Sequence, residues 1–468
     1  MLELAALDIS KGSIVAPAGC GKTHLITECL KIRHTAKPIL VLTHTNAGVA
    51  ALRSRLVQQA VPRNNYALAT LDGWAMRIVS MFPEKSGITS KTLQLSTPKN
   101  DYPAIKAAAL SLLKKEHISE LIASNYEHLF VDEYQDCLAT QHAIVNELSK
   151  ILPTCVFGDP LQNIFDFGDT QIDWDQTVLQ DFPLQTELST PHRWINAGQQ
   201  DLGDWLLSIR SNLLMGQPID LLQAPFGATW VNISSSANMP PILEATHSMP
   251  HGITSSIIIC DSTNKRRQQK IARSTMGSTV VENAELSDLI DFVSTYEFSS
   301  KTATETLIRK AGDILRSVEV SKTIKRFTSL KSGTARKPPN EAEQAILTFD
   351  RSRTPKYAAA MLSAISKQPG VSIYREDVFR GLLKAFNSSP SPNDIKERAI
   401  KIREERRFYS RTIGKRAVGS TLLVKGLEAD QVVIVDTQSL NAQNLYVALT
   451  RGAKRILVCS PSSTLQPS

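Results

Sequence analysis

The sequence predicts an α/β protein with parallel strand pairing, and three observations lead there. Short apolar runs recur through the first third of the chain, helical stretches separate most of them, and a glycine-bearing loop joins the first run to the first helix. Strands that alternate with helices need crossover connections, and right-handed crossovers bring the strands into parallel register. The composition agrees: of 468 residues, 42% are hydrophobic and 21% charged, the balance of a chain that buries a sizeable core. With 22 Gly and 23 Pro, collagen-like and long low-complexity architectures are excluded. No apolar run approaches the roughly 18–20 residues of a membrane span. The first residues lack a basic segment followed by an apolar one, so the expected location is cytoplasmic. Cys20, Cys29, Cys137, Cys155, Cys260 and Cys459 are scattered with no CxxC pair, which fits reduced thiols better than a disulfide framework.

In chain order, Gly12–Val15 is the first expected strand. It runs into Ala16-Pro17-Ala18-Gly19-Cys20-Gly21-Lys22-Thr23, with a helix expected over His24–Arg33. Strand, glycine-bearing loop and helix together form the context of a phosphate-binding loop. Gly19 and Gly21 let the backbone curl until several N–H groups from Ala18 to His24 point at one anion, and the helix N-terminus adds partial positive charge. Lys22 has the reach for β- and γ-phosphates, and the Thr23 hydroxyl is a ligand for Mg²⁺. Further strands are expected at Ile39–Thr43, Tyr66–Ala69, Leu129–Val131 and Thr154–Phe157.

In parallel sheets chemistry gathers where strands end. Leu129–Val131 is followed by Asp132-Glu133-Tyr134-Gln135-Asp136, two adjacent acids about 110 residues after the phosphate loop. Asp132 suits the metal and Glu133 the attacking water. The next strand ends in Gly158-Asp159-Pro160-Leu161-Gln162, where Gln162 can sense the γ-phosphate.

The order of these motifs resembles that of superfamily 1 helicases of the UvrD/Rep type. The loop APAGCGKT is similar to that family's phosphate loop, LTHTN to motif Ia, TLDGW to Ib, DEYQD to II and GDPLQNIFDF to III. The stretch from Leu188 to His192-Arg193-Trp194 resembles motif IV, LVKGLEAD (423–430) motif V and LYVALTR (445–451) motif VI. The resemblance implies two RecA-like parallel-sheet lobes of the P-loop NTPase kind, with helical insertions. Residues 1–187 would form the ATP-binding lobe, with a small insertion near 80–125. Residues 188–290 plus 411–468 would form the second lobe, and 291–410 a helical, basic accessory insertion. Second-lobe strands are expected at Thr229–Ile233, Ser255–Cys260, Thr279–Val281, Ser420–Val424, Val432–Asp436 and Arg455–Cys459. Arg193 and Arg451 would touch the γ-phosphate from the second lobe. His192 would stack on the base, and Gly426 and Glu428 would meet the ribose. The resemblance further implies 3′-to-5′ movement on single-stranded DNA or at single/double-strand junctions. Thr45, Asn46 and Thr70 would contact strand phosphates, while Trp74, Phe165 and Phe167 would stack on bases.

The chain departs from the family pattern in several places. No Gln precedes the phosphate loop, Gly168 stands where motif III continues with arginine, and Leu422 replaces the motif V histidine. The last change removes a polar link between strand binding and ATP. It admits a second reading, a DNA-stimulated ATPase that regulates a partner nuclease without unwinding duplexes. Compact helicases of this shape resemble those of bacterial phage-defence systems such as Gabija, where a partner protein cuts the DNA. The charge excess of +8 permits a polyanionic partner. It concentrates in two runs: Arg309–Lys337 holds nine Lys/Arg against two acids, and Lys396–Arg416 nine against three. His247 and His251 are expected to be a loop pair without metal.

Overall fold

The computed structural model describes residues 6–32, 37–95, 97–115, 118–165, 171–235, 237–406 and 414–467. The first sheet contains β1 (Lys11–Val15), β2 (Ile39–Thr43), β3 (Tyr66–Thr70), β4 (Leu129–Val131), β5 (Thr154–Gly158) and β6 (Leu184–Glu187). Its order is β3-β2-β4-β5-β1-β6, and every ladder is parallel. Strand alternation sends successive side chains to opposite faces. Leu40, Leu42, Leu129, Val131 and Val156 pack on one face beneath helices Leu71–Met81, Pro98–Lys114 and Ala139–Leu148. Ile39, Val41, Phe130, Cys155 and Phe157 pack on the other face beneath Lys22–Lys31 and Asn46–Gln58. Burial on both faces is why these strands read as unbroken apolar runs.

The register sets the site. Val15 pairs with Gly158, Val131 with Val156 and Thr43 with Thr70, so the strands end along one carboxyl edge. β6 was not expected from sequence. It is a polar, mostly exposed edge strand, and its pairing with β1 defines it.

The second sheet contains β7 (Ala228–Asn232), β8 (Ser256–Ile259), β9 (Ser278–Val280), β10 (Arg416–Gly419), β11 (Ala429–Ile434) and β12 (Gly452–Ser460), in the order β9-β10-β8-β11-β12-β7. The ladders joining β9, β10, β8 and β11 are parallel. The expected strand at Ser420–Val424 is instead a short helix, Thr421–Val424, and the strand lies just before it at Arg416–Gly419. Between β9 and β10 runs a series of helices from Ser287–Thr295 to Ile395–Arg406, with a core of its own that includes Leu289, Leu307, Phe349, Leu362 and Phe386.

The chain divides into two compact units. One comprises Met1–Thr229, Gln438–Ile456 and Ser462–Ser468; the other comprises Trp230–Thr437 and Leu457–Pro461. The first unit therefore holds the first sheet together with the helix Ala442–Leu449. No described helix is long and apolar enough to cross a membrane.

Candidate active site

The loop after β1 takes the shape its glycines permit. Gly19 has φ 74° and Gly21 φ 90°, a left-handed conformation that side chains resist. A side chain at Gly19 would collide with Trp194 and Arg193 in the same unit, and one at Gly21 would press on the His192 ring. Cys20, between them, is buried, and burial pushes its thiol up to about 12.

Lys22 lies at the N-terminus of the helix Lys22–Lys31 and reaches the acids that follow β4. Its Nζ is 2.9 Å from Asp132 Oδ1 and also donates to Glu133 Oε1. Burial opposes the ammonium charge, but the two carboxylates outweigh it and hold its pKa above the ordinary lysine value. Glu133 has φ 56°, a left-handed conformation unusual for a residue with a side chain. Its Oε2 accepts from Gln135 Nε2 at 2.6 Å, and its backbone N–H donates to Asp132 Oδ1 at 2.9 Å.

The chain of bonds continues along the carboxyl edge. Gln135 Oε1 accepts from the N–H of Asp159, the residue after β5, at 3.1 Å. Gln162 Nε2 donates to Asp159 Oδ2 at 2.9 Å. Arg210 then grips Asp159 with both guanidinium nitrogens at 2.9 and 3.0 Å. Its Nη1 also donates to the Tyr446 hydroxyl at 2.7 Å, and that hydroxyl accepts the Ala18 N–H at 3.1 Å. Gln135, Arg210 and Tyr446 were not singled out from sequence. DEYQD and LYVALTR contain two of them, but nothing local marks Arg210, which is 51 residues from its carboxylate.

The two motif arginines differ. The Arg193 backbone N–H donates to Gly19 O at 3.1 Å, its Nη1 donates to Thr450 O at 2.6 Å, and its guanidinium lies over the Trp194 ring. Arg451 is buried, with Nε donating to Val447 O at 2.9 Å and Nη2 to Thr450 Oγ1 at 3.0 Å. The first unit thus brings His192 and Arg193 onto the phosphate loop and Tyr446 against its crest. Thr23 is half-buried and His24 exposed. Gly426 and Glu428 belong to the other unit, where both are exposed and Gly426 has φ 80°.

Among the described residues, no group of three His, Cys, Asp or Glu could hold a metal by itself. Thr23 and Asp132 offer hard oxygens only, and a cation there would complete its shell with phosphate and water. That donor set fits Mg²⁺.

The strand-binding candidates fare unevenly. Thr45 and Thr70 cap their helices, accepting from Gly48 N at 3.0 Å and Gly73 N at 2.9 Å. A capping hydroxyl keeps its proton for a further acceptor. Asn46 is exposed, and Phe165 is half-buried beside the His44 ring. Phe167 lies outside the described residues. Trp74 requires correction. It is 2% exposed, on the stripe Leu71, Trp74, Ala75, Ile78 that faces the sheet. That spacing is a core stripe, so Trp74 packs the interior and does not present its ring to a base. The basic run 309–337 is also largely engaged. Arg316 is buried and donates to Ala272 and Ser278 carbonyls, Arg326 pairs with Glu343, and Lys331 pairs with Asp350. His247 bonds the Leu243 carbonyl and the Met276 N–H.

A glycine loop, a lysine and two acids at the carboxyl edge of a parallel sheet define a phosphate-loop nucleotide-binding protein of the α/β class. Residues 97–183, which carry β4, the paired acids and β5, match the UvrD/REP helicase N-terminal domain. The match spans 87 of the chain's 468 residues, and the order of motifs around it resembles that of superfamily 1 helicases. No curated relative matches the sequence. Solved structures similar to the chain include the Pif1 helicase of Candida albicans, at 11% identity and TM-score 0.41, over 99% of this chain and 94% of that one. Another is the nonstructural protein 10 helicase of an arterivirus in complex with DNA, at 10% identity and TM-score 0.36. That match covers 98% of this chain and 63% of the viral one. At these scores neither structure carries an argument about this chain.

Proposed function

We propose that the chain is an ATP-driven translocase or helicase acting on single-stranded DNA in the 3′-to-5′ direction. The meeting of Lys22 with Asp132 and Glu133 at the strand ends supports this most. One cation between two anions is a partial charge balance that a nucleotide can rearrange. Lys22 turns to the β- and γ-phosphates, cradled by the backbone from Ala18 to His24. Thr23 and Asp132 hold Mg²⁺, which when bound neutralises phosphate charge. Glu133 orients the attacking water and takes its proton. Gln162, Arg193 and Arg451 stabilise charge growing on the γ-phosphate. His192 packs on the base. Thr45, Asn46 and Thr70 hold the strand's phosphates, and Phe165 and Phe167 stack on its bases. Cytoplasmic location, a nuclease partner and a part in antiviral defence belong to the same reading.

Leu422, in the short helix Thr421–Val424 where the family has a histidine, favours a second reading: an ATPase that senses DNA and regulates a nuclease. ATP hydrolysis with and without single-stranded DNA, beside displacement of a strand from a 3′-tailed duplex, tests both. Stimulated hydrolysis with displacement is expected of a helicase. Stimulated hydrolysis over an intact duplex selects the sensor, and rates indifferent to DNA overturn both.

A further inference from the structure

Arg210 has no place in the family motifs, yet it joins two of them. It opens the short helix Arg210–Leu214, and its side chain is 8% exposed against 1% for Asp159. The planar guanidinium meets the carboxylate fork to fork, a geometry that admits one orientation of each partner. The remaining carboxylate contacts come from Leu161 N at 3.2 Å and Gln162 Nε2 at 2.9 Å, so Arg210 fixes the loop that carries Gln162. The Nη1 that donates to Asp159 also donates to the Tyr446 hydroxyl, and the guanidinium lies 5.0 Å from the centre of that ring. Tyr446 in turn accepts the Ala18 N–H.

These bonds close a ring: Lys22, Glu133, Gln135, Asp159, Arg210, Tyr446 and Ala18, whose ends lie four residues apart in the phosphate loop. A buried ion pair of this kind adds little net stability and much fixed geometry. We propose that Arg210 is a positioning residue: through Asp159 and Tyr446 it makes the γ-phosphate-sensing loop and the crest of the phosphate loop move as one body. The proposal deepens the ATPase reading and rests on it. In the phosphate loop the strut engages the Ala18 N–H at the crest, and the backbone from Gly19 to His24 that cradles the β-phosphate is expected to stay in place without it. What the strut governs is the alignment of Gln162 with the loop, which matters at the transition state.

The test uses the full chain as wild type, Tyr446→Phe, Arg210→Lys and the double variant. It measures kcat and KM for ATP on single-stranded DNA, ADP affinity by a fluorescent ADP analogue, and thermal unfolding. Tyr446→Phe removes one oxygen and keeps the packing, so it stays informative if Arg210→Lys folds poorly. The expected result is a kcat about tenfold lower in Tyr446→Phe, with KM and ADP affinity within about threefold and an unchanged unfolding midpoint. The double variant is expected to lose no more than the worse single variant, because both changes break one strut. A Tyr446→Phe kcat within about twofold of wild type, or losses that multiply in the double variant, overturns the proposal. A wild type that binds the analogue but hydrolyses no ATP overturns the ATPase reading instead, and this proposal with it.

Discussion

Charged side chains serve different ends in the strand-end cluster of the first unit and in the helical body of the second. In the first, Lys22, Asp132, Glu133, Asp159 and Arg210 come from segments far apart in sequence and share one buried network. In the second, charges pair off locally or in small sets. Lys322 meets Glu319 three residues away, Arg353 meets Asp350, and the buried Arg375 joins Glu282 and Asp288. The first arrangement is poised to exchange partners with an anion. The second holds helices together. Net charge along the chain does not distinguish them; convergence at a strand edge does.

The comparison predicts a gradient of effects. Glu133→Gln should have the largest, lowering ATP turnover by on the order of 10³-fold while nucleotide binding persists. Steady-state hydrolysis beside fluorescent-nucleotide titration measures both, and an unchanged rate would remove Glu133 from the chemistry. Lys22→Ala should weaken nucleotide binding by on the order of 10²-fold, because it removes the phosphate partner and leaves two carboxylates facing each other. Titration with the same nucleotide decides it.

Arg375→Met should do the converse. It should cost about 3 kcal/mol of stability by stranding Glu282 and Asp288, with turnover per folded molecule unchanged. Burial works against the Asp288 charge, but Arg375 outweighs it and holds that carboxyl below its ordinary value of 3.8. The aspartate's contribution is therefore present above that value and lost as pH falls through the lowered one. Denaturant unfolding between neutral and acid pH should show wild type losing more of its margin than the variant. The smallest effect is expected from alkylation. All six cysteines are buried, and Cys20 titrates at about 12, so little thiolate exists near neutrality. Iodoacetamide should label the native protein slowly and leave turnover unaltered; rapid labelling at Cys20 would show that the loop opens.

Much of the first sheet was legible because its strands are buried on both faces. Ile39–Thr43 and Leu129–Val131 fall where their apolar runs lie, since no polar residue interrupts them. β6 was not legible: Leu184–Glu187 is mostly polar, and only pairing with β1 makes it a strand. The apolar run Ser420–Val424 misled in the opposite way, because an apolar run of that length suits a buried helical turn equally well. Trp74 shows the same limit at a side chain. Its motif position suggests a base, and its helical spacing points to the core.

Local sequence determined the phosphate loop with its lysine and, separately, the paired acids, because the backbone geometry of each motif is set within a few positions. Tertiary structure alone decided which charges meet across long stretches of chain. Asp159, Arg210 and Tyr446 are far apart in sequence, and a buried ion has no local signature: its partner is whatever the packing brings within hydrogen-bond distance.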